Sequence, residues 1–77
     1  MYEIYYIQYM EKLNTTIRQL RFDHSMTQEQ LAEQVGVARQ TIVYLEKGEY
    51  MPSLGLAWRI CRFFGKTLEE VFIFQDS

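Results

Sequence analysis

The chain has 77 residues, 48% apolar and 16% aromatic, with a formal net charge of −2. That is enough for one small domain whose core needs no metal or disulfide, with modest stability expected. One cysteine (Cys61) and one histidine (His24) exclude a disulfide framework and leave no zinc pattern, so no metal site or cofactor is expected.

Residues 1–10, Met-Tyr-Glu-Ile-Tyr-Tyr-Ile-Gln-Tyr-Met, are rich in tyrosine and isoleucine, which favours a strand. Apolar residues fall on both faces, so two readings stand: an extra strand, or a leader ahead of a natural start at Met10. Residues 1–13 are taken as an N-terminal extension and 14–77 as the domain. The start carries Glu3 rather than a basic stretch and has no small-residue cleavage site, so no secretory signal is expected. No apolar run reaches membrane-spanning length. With so few cysteines, a reducing cytoplasmic setting fits.

Ile17, Leu20 and Arg21 at i, i+3, i+4 predict a first helix over 14–22, capped by Asn14 or Thr15 and ended by Asp23-His24-Ser25. Thr27-x-x-Gln30 is a capping box that opens a second helix with the inner stripe Leu31, Ala32 and Val35. Gly36 closes it. A third helix is expected from Arg39 to Lys47, with Ile42 and Leu45 inward and Gly48 as the stop. Tyr50-Met-Pro-Ser53 is a loop, and Ser53 caps a fourth helix.

The inner residues of that helix are Leu56, Ala57, Ile60, Cys61 and Phe64. Gly55 weakens it by roughly 1 kcal/mol against alanine. Gly65 ends it, and Thr67-x-x-Glu70 opens a short fifth helix. Val71-Phe-Ile-Phe-Gln75 then predicts a strand. A lone terminal strand needs a partner, either near the N-terminus or in a second subunit. The fold class is therefore all-α, five helices with a short C-terminal strand.

Three features make the second and third helices a specific unit. Ala32 is small where a helix crosses close, Gly36 turns the chain sharply, and Ile42 and Leu45 plug the core from the far side. Steeply crossed helices joined by a short turn need this combination. Residues 39, 40, 43, 44 and 47 fall on one face of the third helix, opposite 42 and 45.

The stretch Thr27-Gln-Glu-Gln-Leu-Ala-Glu-Gln-Val-Gly-Val-Ala-Arg-Gln-Thr-Ile-x-x-Leu-Glu-Lys-Gly-Glu-Tyr-x-Pro-Ser-Leu resembles the helix-turn-helix of the Cro/phage-repressor type, also called the xenobiotic-response-element type. The likeness covers about residues 14–74 and is nearest to the small stand-alone bacterial regulators ending in a C-terminal strand. It implies a five-helix fold, two-fold dimers and binding to double-stranded DNA at palindromic operators. Gln28 matches a glutamine that contacts phosphate and helps orient the third-helix glutamine. Arg39, Gln40 and Thr41 match residues facing base edges, with Val43 and Tyr44 one turn on. Arg21 and Glu46 match a buried pair that supports the third helix.

The chemistry agrees. Arginine bonds guanine bidentately, glutamine bonds adenine, and the Thr41 or Val43 methyls suit a thymine methyl. Tyr44 suits a phosphate or sugar. Lys47 adds positive charge on the same face.

Three positions depart from the family pattern. Ala38 stands where Ser or Thr usually caps the third helix, which costs about 1 kcal/mol. Glu49 and Met51 stand where Lys and Asn are frequent. The acidic balance also counts against DNA, because phosphate neutralisation supplies much of such affinity. A groove sees only one face, however, and Arg18, Arg21, Arg39 and Lys47 lie near or inside the motif.

The expectation is a sequence-specific regulator, a repressor acting as a homodimer, with Phe72, Ile73 and Phe74 as dimer-surface candidates. The alternatives are the antitoxin of a toxin–antitoxin pair, and a protein-interaction module that has lost DNA binding. Trp58, Phe63 and Phe64 are expected in the core or dimer surface, Cys61 as a small buried hydrophobe, and His24 exposed in a loop. Nothing supports an enzyme: there is no nucleophile–base set and no phosphate-binding glycine loop.

Overall fold

The computed structural model describes residues 11–76. The order is β1 (Glu11–Thr15), α1 (Ile17–Asp23), α2 (Gln28–Val35), α3 (Arg39–Lys47), α4 (Leu54–Phe64), α5 (Leu68–Val71) and β2 (Phe72–Asp76). Five helices and a two-stranded sheet match the expected class. The strand expected within residues 1–10 lies outside the described residues.

The helix starts follow the local chemistry. The Thr27 hydroxyl accepts from Gln30 N–H at 3.0 Å, while Thr27 N–H donates to Gln30 Oε1 at 2.9 Å, closing the predicted box. Thr67 and Glu70 repeat it at 3.2 and 2.8 Å, and Ser53 Oγ caps α4 through Leu56 N–H at 3.1 Å. Ala38 has no side-chain cap to offer α3, as expected. Gly36, with φ of 76°, makes the left-handed turn between α2 and α3, where an L side chain is strained.

Gly48 does more than stop α3. Its φ is 74°, and a Cβ placed there would lie 2.5 Å from the Leu13 carbonyl oxygen. The missing side chain is what lets β1 lie against the end of α3.

The start of α1 differs from expectation. Asn14 and Thr15 belong to β1, and the N-cap position falls to Thr16, which makes no side-chain cap bond. Thr16 Oγ1 donates instead to the Glu70 carbonyl at 2.6 Å, and Thr16 N–H to the Val71 carbonyl at 2.9 Å. The Thr16 hydroxyl thus makes a nonlocal tie to α5, while the expected Thr15 hydroxyl accepts from Ile17 N–H at 3.4 Å, a long bond from the end of β1.

The two strands are antiparallel, in the register Leu13 to Phe74, Asn14 to Ile73 and Thr15 to Phe72. The C-terminal strand therefore takes its partner from the same chain. The pair runs across the boundary at 13/14 expected between extension and domain, so residues 11–13 fold with the domain.

One core underlies all these elements. Ile17, Leu31, Ile42, Leu45, Ile60 and Val71 are wholly buried, joined by Leu13, Leu56, Phe64 and Phe72. The predicted inner stripes of α2, α3 and α4 are all buried, Cys61 among them. Burial pushes the Cys61 thiol up from its ordinary pKa, and the Glu69 carboxylate adds to the shift. Cys61 is thus an unreactive core filler.

Candidate nucleic-acid interface

Alternation of buried and exposed positions turns one face of α3 outward. Ile42 and Leu45 are fully buried and anchor the helix in the common core. Arg39, Gln40, Tyr44 and Lys47 are exposed, and Thr41 and Val43 are half-buried at the edges. Arg39, Gln40, Val43, Tyr44 and Lys47 share the outward face that helical spacing predicts, with Thr41 at its edge. The outward face carries a guanidinium, an amide, a hydroxyl, a phenol and an ammonium, a set rich in groups that bond base edges and phosphates.

Behind this face lies a buried ion pair. Arg21 Nε donates to Glu46 Oε2 at 2.6 Å and Arg21 Nη2 to Glu46 Oε1 at 3.0 Å, a two-point contact. The two side chains are only 8% and 7% exposed, which makes this a core pair rather than a surface one. Arg21 Nη1 also donates to the Met26 carbonyl at 2.9 Å, tying in the loop before α2. Among the described residues, no buried side-chain nitrogen or oxygen lacks a partner. The desolvation cost of the pair is thus met by complete hydrogen bonding.

The pair extends to the surface. Gln28 Nε2 donates to Glu46 Oε1 at 3.1 Å, and Arg39 Nη1 donates to Gln28 Oε1 at 3.1 Å. Both ends of the Gln28 amide are thereby engaged within the protein. The resemblance implied that Gln28 helps orient Gln40; its amide instead meets Arg39. Sequence reasoning missed this link because residues 28 and 39 lie eleven apart, across the turn.

An open groove of about 550 Å³ lies beside the pair, with Arg18, Phe22, Gln28, Val43 and Lys47 in its lining. The Arg18 and Arg21 guanidinium carbons sit 5.4 and 5.0 Å from the Phe22 ring centroid, within cation–π range. Arg18 and Phe22 join the candidates here. Their i, i+4 spacing on α1 was the available signal.

A second surface lies on the other side of the molecule's chemistry, around the sheet. Met51, Pro52, Leu54, Leu68 and Phe74 line an apolar groove over Leu13, Ala57 and Phe72. Leu54 and Trp58 are among the most exposed apolar side chains, 82% and 58%, and Arg62 lies 5.2 Å from the Trp58 ring centroid. Of the three dimer-surface candidates, Phe72 is buried in its own chain at 4% exposure. Ile73 and Phe74 are exposed, but successive strand residues point to opposite faces. Phe74 shares the groove side with Leu13, and Ile73 faces the other way. Trp58 and Phe63 are exposed and Phe64 is in the core.

Among the described residues, no three His, Cys, Asp or Glu side chains come together in a metal-binding group. No described helix is long and apolar enough to cross a membrane.

Comparison with known proteins matches this geometry. Residues 17–71 fit the family model described as Helix-turn-helix. An HTH-type transcriptional regulator of Archaeoglobus fulgidus is 55% identical over 65 residues, which is 84% of this chain and 93% of that protein. The regulator YgzD of Bacillus subtilis is 42% identical over 65 residues, 84% of this chain and 98% of that one. In fold, the chain is similar to the crystal structure of the transcriptional regulator VanUg, with a TM-score of 0.71 at 23% identity, covering 88% of this chain and 91% of that one.

Proposed function

The chain belongs to the helix-turn-helix family of transcriptional regulators, a non-enzymatic class, and from that premise we propose that it binds a palindromic operator as a homodimer and represses transcription. Each subunit lays α3 in a major groove, with half-sites about one helical turn apart. The observation that carries this reading is the outward face of α3: Arg39, Gln40, Thr41, Val43, Tyr44 and Lys47 turn away from a helix fastened by Ile42 and Leu45.

The division of labour follows from residue chemistry. Arg39 suits guanine and Gln40 suits adenine, while Thr41 and Val43 offer methyls to thymine. Tyr44 and Lys47 supply phosphate and sugar contacts that position the helix without reading sequence. Ala38 and Glu49 withhold two such contacts, and the net charge is −2. A monomer would therefore hold DNA weakly, and a dimer joins two half-sites at a high effective concentration.

The apolar groove around Leu54, Leu68 and Phe74 supports the dimer, since exposed apolar patches on small domains mark contact surfaces. Repression needs only that an occupied operator exclude polymerase.

The test is a titration of the protein against DNA from upstream of its own gene at two salt concentrations. A protected site with two related half-sites, weakening steeply with salt, is expected. No specific footprint at any salt would sink the reading. Sedimentation at the same protein concentrations checks the dimer; a species that stays monomeric on its protected site would remove that part.

A further inference from the structure

We propose that the groove between α1 and α3 takes the sugar–phosphate backbone of the bound duplex, with Arg18 as its phosphate ligand and the exposed Phe22 ring as the support of that guanidinium. This extends the DNA contact from α3 to α1, and it rests on the DNA-binding reading above.

The groove, about 550 Å³, carries four charged groups: Arg18, Arg21, Glu46 and Lys47. Two of them cancel. Arg21 spends Nε and Nη2 on Glu46 and Nη1 on the Met26 carbonyl, so the buried pair offers no net charge. Arg18 and Lys47 remain, both exposed, and among the described residues neither has a carboxylate within ion-pair distance. Two uncompensated cations over a neutral floor are complementary to an anion.

Phe22 decides how Arg18 presents itself. Its ring is 54% exposed, yet it lies 5.4 Å from the Arg18 guanidinium carbon and 5.0 Å from that of Arg21. Arg21 is fixed in the core, so the ring beside it has a firm neighbour, and Arg18 is drawn onto the same ring from one turn back. A guanidinium stacked on an aromatic face keeps its N–H groups free at the edge, and paired N–H groups are what a phosphate accepts. The stacked side chain has also given up rotamers before DNA arrives, which lowers the cost of binding.

The occupant follows from what adjoins the groove. Val43 and Lys47 line it and also belong to the outward face of α3. A duplex laid on that face brings its flanking phosphates to the groove mouth. The contact also answers a deficit: Ala38 offers no hydroxyl, Glu49 puts a carboxylate after α3, and the chain carries a net −2. Positive charge toward the backbone then comes from α1.

The experiment uses the full chain and a duplex that the wild-type protein selects from a randomised pool. Affinities at several salt concentrations are measured for wild type, Arg18→Ala and Phe22→Leu on the selected and a scrambled duplex. They are measured again on selected duplexes in which one phosphate at a time is replaced by a neutral methylphosphonate. Thermal unfolding confirms that each variant folds; both side chains are exposed.

Arg18→Ala is expected to weaken both duplexes by the same factor, and to make the plot of log affinity against log salt shallower by roughly 0.9, the share of one phosphate. One neutralised phosphate, flanking the base pairs under α3, should weaken wild type and leave Arg18→Ala unaffected. Phe22→Leu keeps the charge and should bind more weakly than wild type at an unchanged salt slope. Arg18→Ala with the wild-type salt slope, or with the wild-type response to every neutralised phosphate, would overturn the inference alone. So would a loss confined to one base pair, which would make Arg18 a base contact. Wild-type affinity in Phe22→Leu would overturn the role of the ring. A wild type that enriches no sequence would overturn the DNA reading, and this inference with it.

Discussion

Arg21 and Glu46 join α1 to α3 through a two-point ion pair that is almost wholly removed from water. Removing one partner strands the other charge in the core. Glu46→Ala should therefore destabilise by about 3–5 kcal/mol, and chemical denaturation reads the loss directly. Arg21→Met combined with Glu46→Leu should restore most of that stability, because apolar residues of similar volume replace such pairs at little cost. The double variant should nevertheless bind DNA less selectively, because Gln28 loses the carboxylate that accepts from its amide. A double variant with wild-type selectivity would show that the pair only supports the fold.

Ala38 occupies the N-cap of α3 with φ of −73° and ψ of 152°, a backbone conformation that serine adopts freely. Ala38→Ser should stabilise by about 1 kcal/mol, because its hydroxyl can accept from a free N–H of the first turn. The same hydroxyl sits beside the reading face and gains a phosphate contact. Binding should tighten on all duplexes alike, as measured by titration against both preferred and scrambled DNA.

Gly48 and Gly65 end their helices with similar backbone angles, φ of 74° and 65°, yet only Gly48 faces another backbone. Gly65→Ala should cost about 1–2 kcal/mol, the expense of a left-handed alanine. Gly48→Ala carries the same strain plus a clash with the Leu13 carbonyl, for a total of roughly 2–5 kcal/mol. Equal midpoints in denaturant for the two variants would contradict the tight approach of β1.

Glu70 accepts from Thr67 N–H, and that bond to the backbone, helped by the Thr67 hydroxyl and the nearby Lys66, holds its carboxyl below the ordinary range. A lowered folded-state value means that the charged form favours the fold. This contribution is present above the ordinary carboxylate pKa of about 4.3 and disappears as pH falls through the lowered value. Glu70→Gln keeps an acceptor for Thr67 but cannot titrate. The loss of stability between about pH 6 and pH 3 should be smaller in the variant than in wild type. An identical loss would place the pH dependence on other carboxylates.

Much of this molecule is legible in local sequence because the determining contacts are local. A capping box joins residues three apart, a left-handed glycine follows its own helix, and an inner stripe repeats every three or four positions. Thr27, Gly36, Ile42, Leu45 and Thr67 are of that kind. Thr16 is not: its hydroxyl serves the carbonyl of Glu70, fifty-four positions away, and leaves the first N–H of α1 to the long bond from Thr15. Phe72 could be read as strand but not as buried, because burial depends on which side of β1 it pairs with. On the reading face, local periodicity separates Arg39 from Ile42. It cannot reveal that Gln28 meets Arg39, since that geometry arises only after two helices have crossed.

The pairing of β1 with β2 has a temporal side. It joins segments about sixty residues apart, with Leu13 opposite Phe74, whereas α2 and α3 meet across a turn of three residues, 36–38. Closing a long loop costs more entropy than closing a short one, and contacts close in sequence tend to assemble first. The helical pair that carries the reading face should thus take shape early, with the strand clasp closing afterwards. In native-state hydrogen exchange the amides of β1 and β2 should open at lower free energy than those of α3. A clasp that opens before the helical pair does would leave a partly unzipped protein still able to present α3, so loosening of the strand pair would erode stability before it erodes the outward face of that helix.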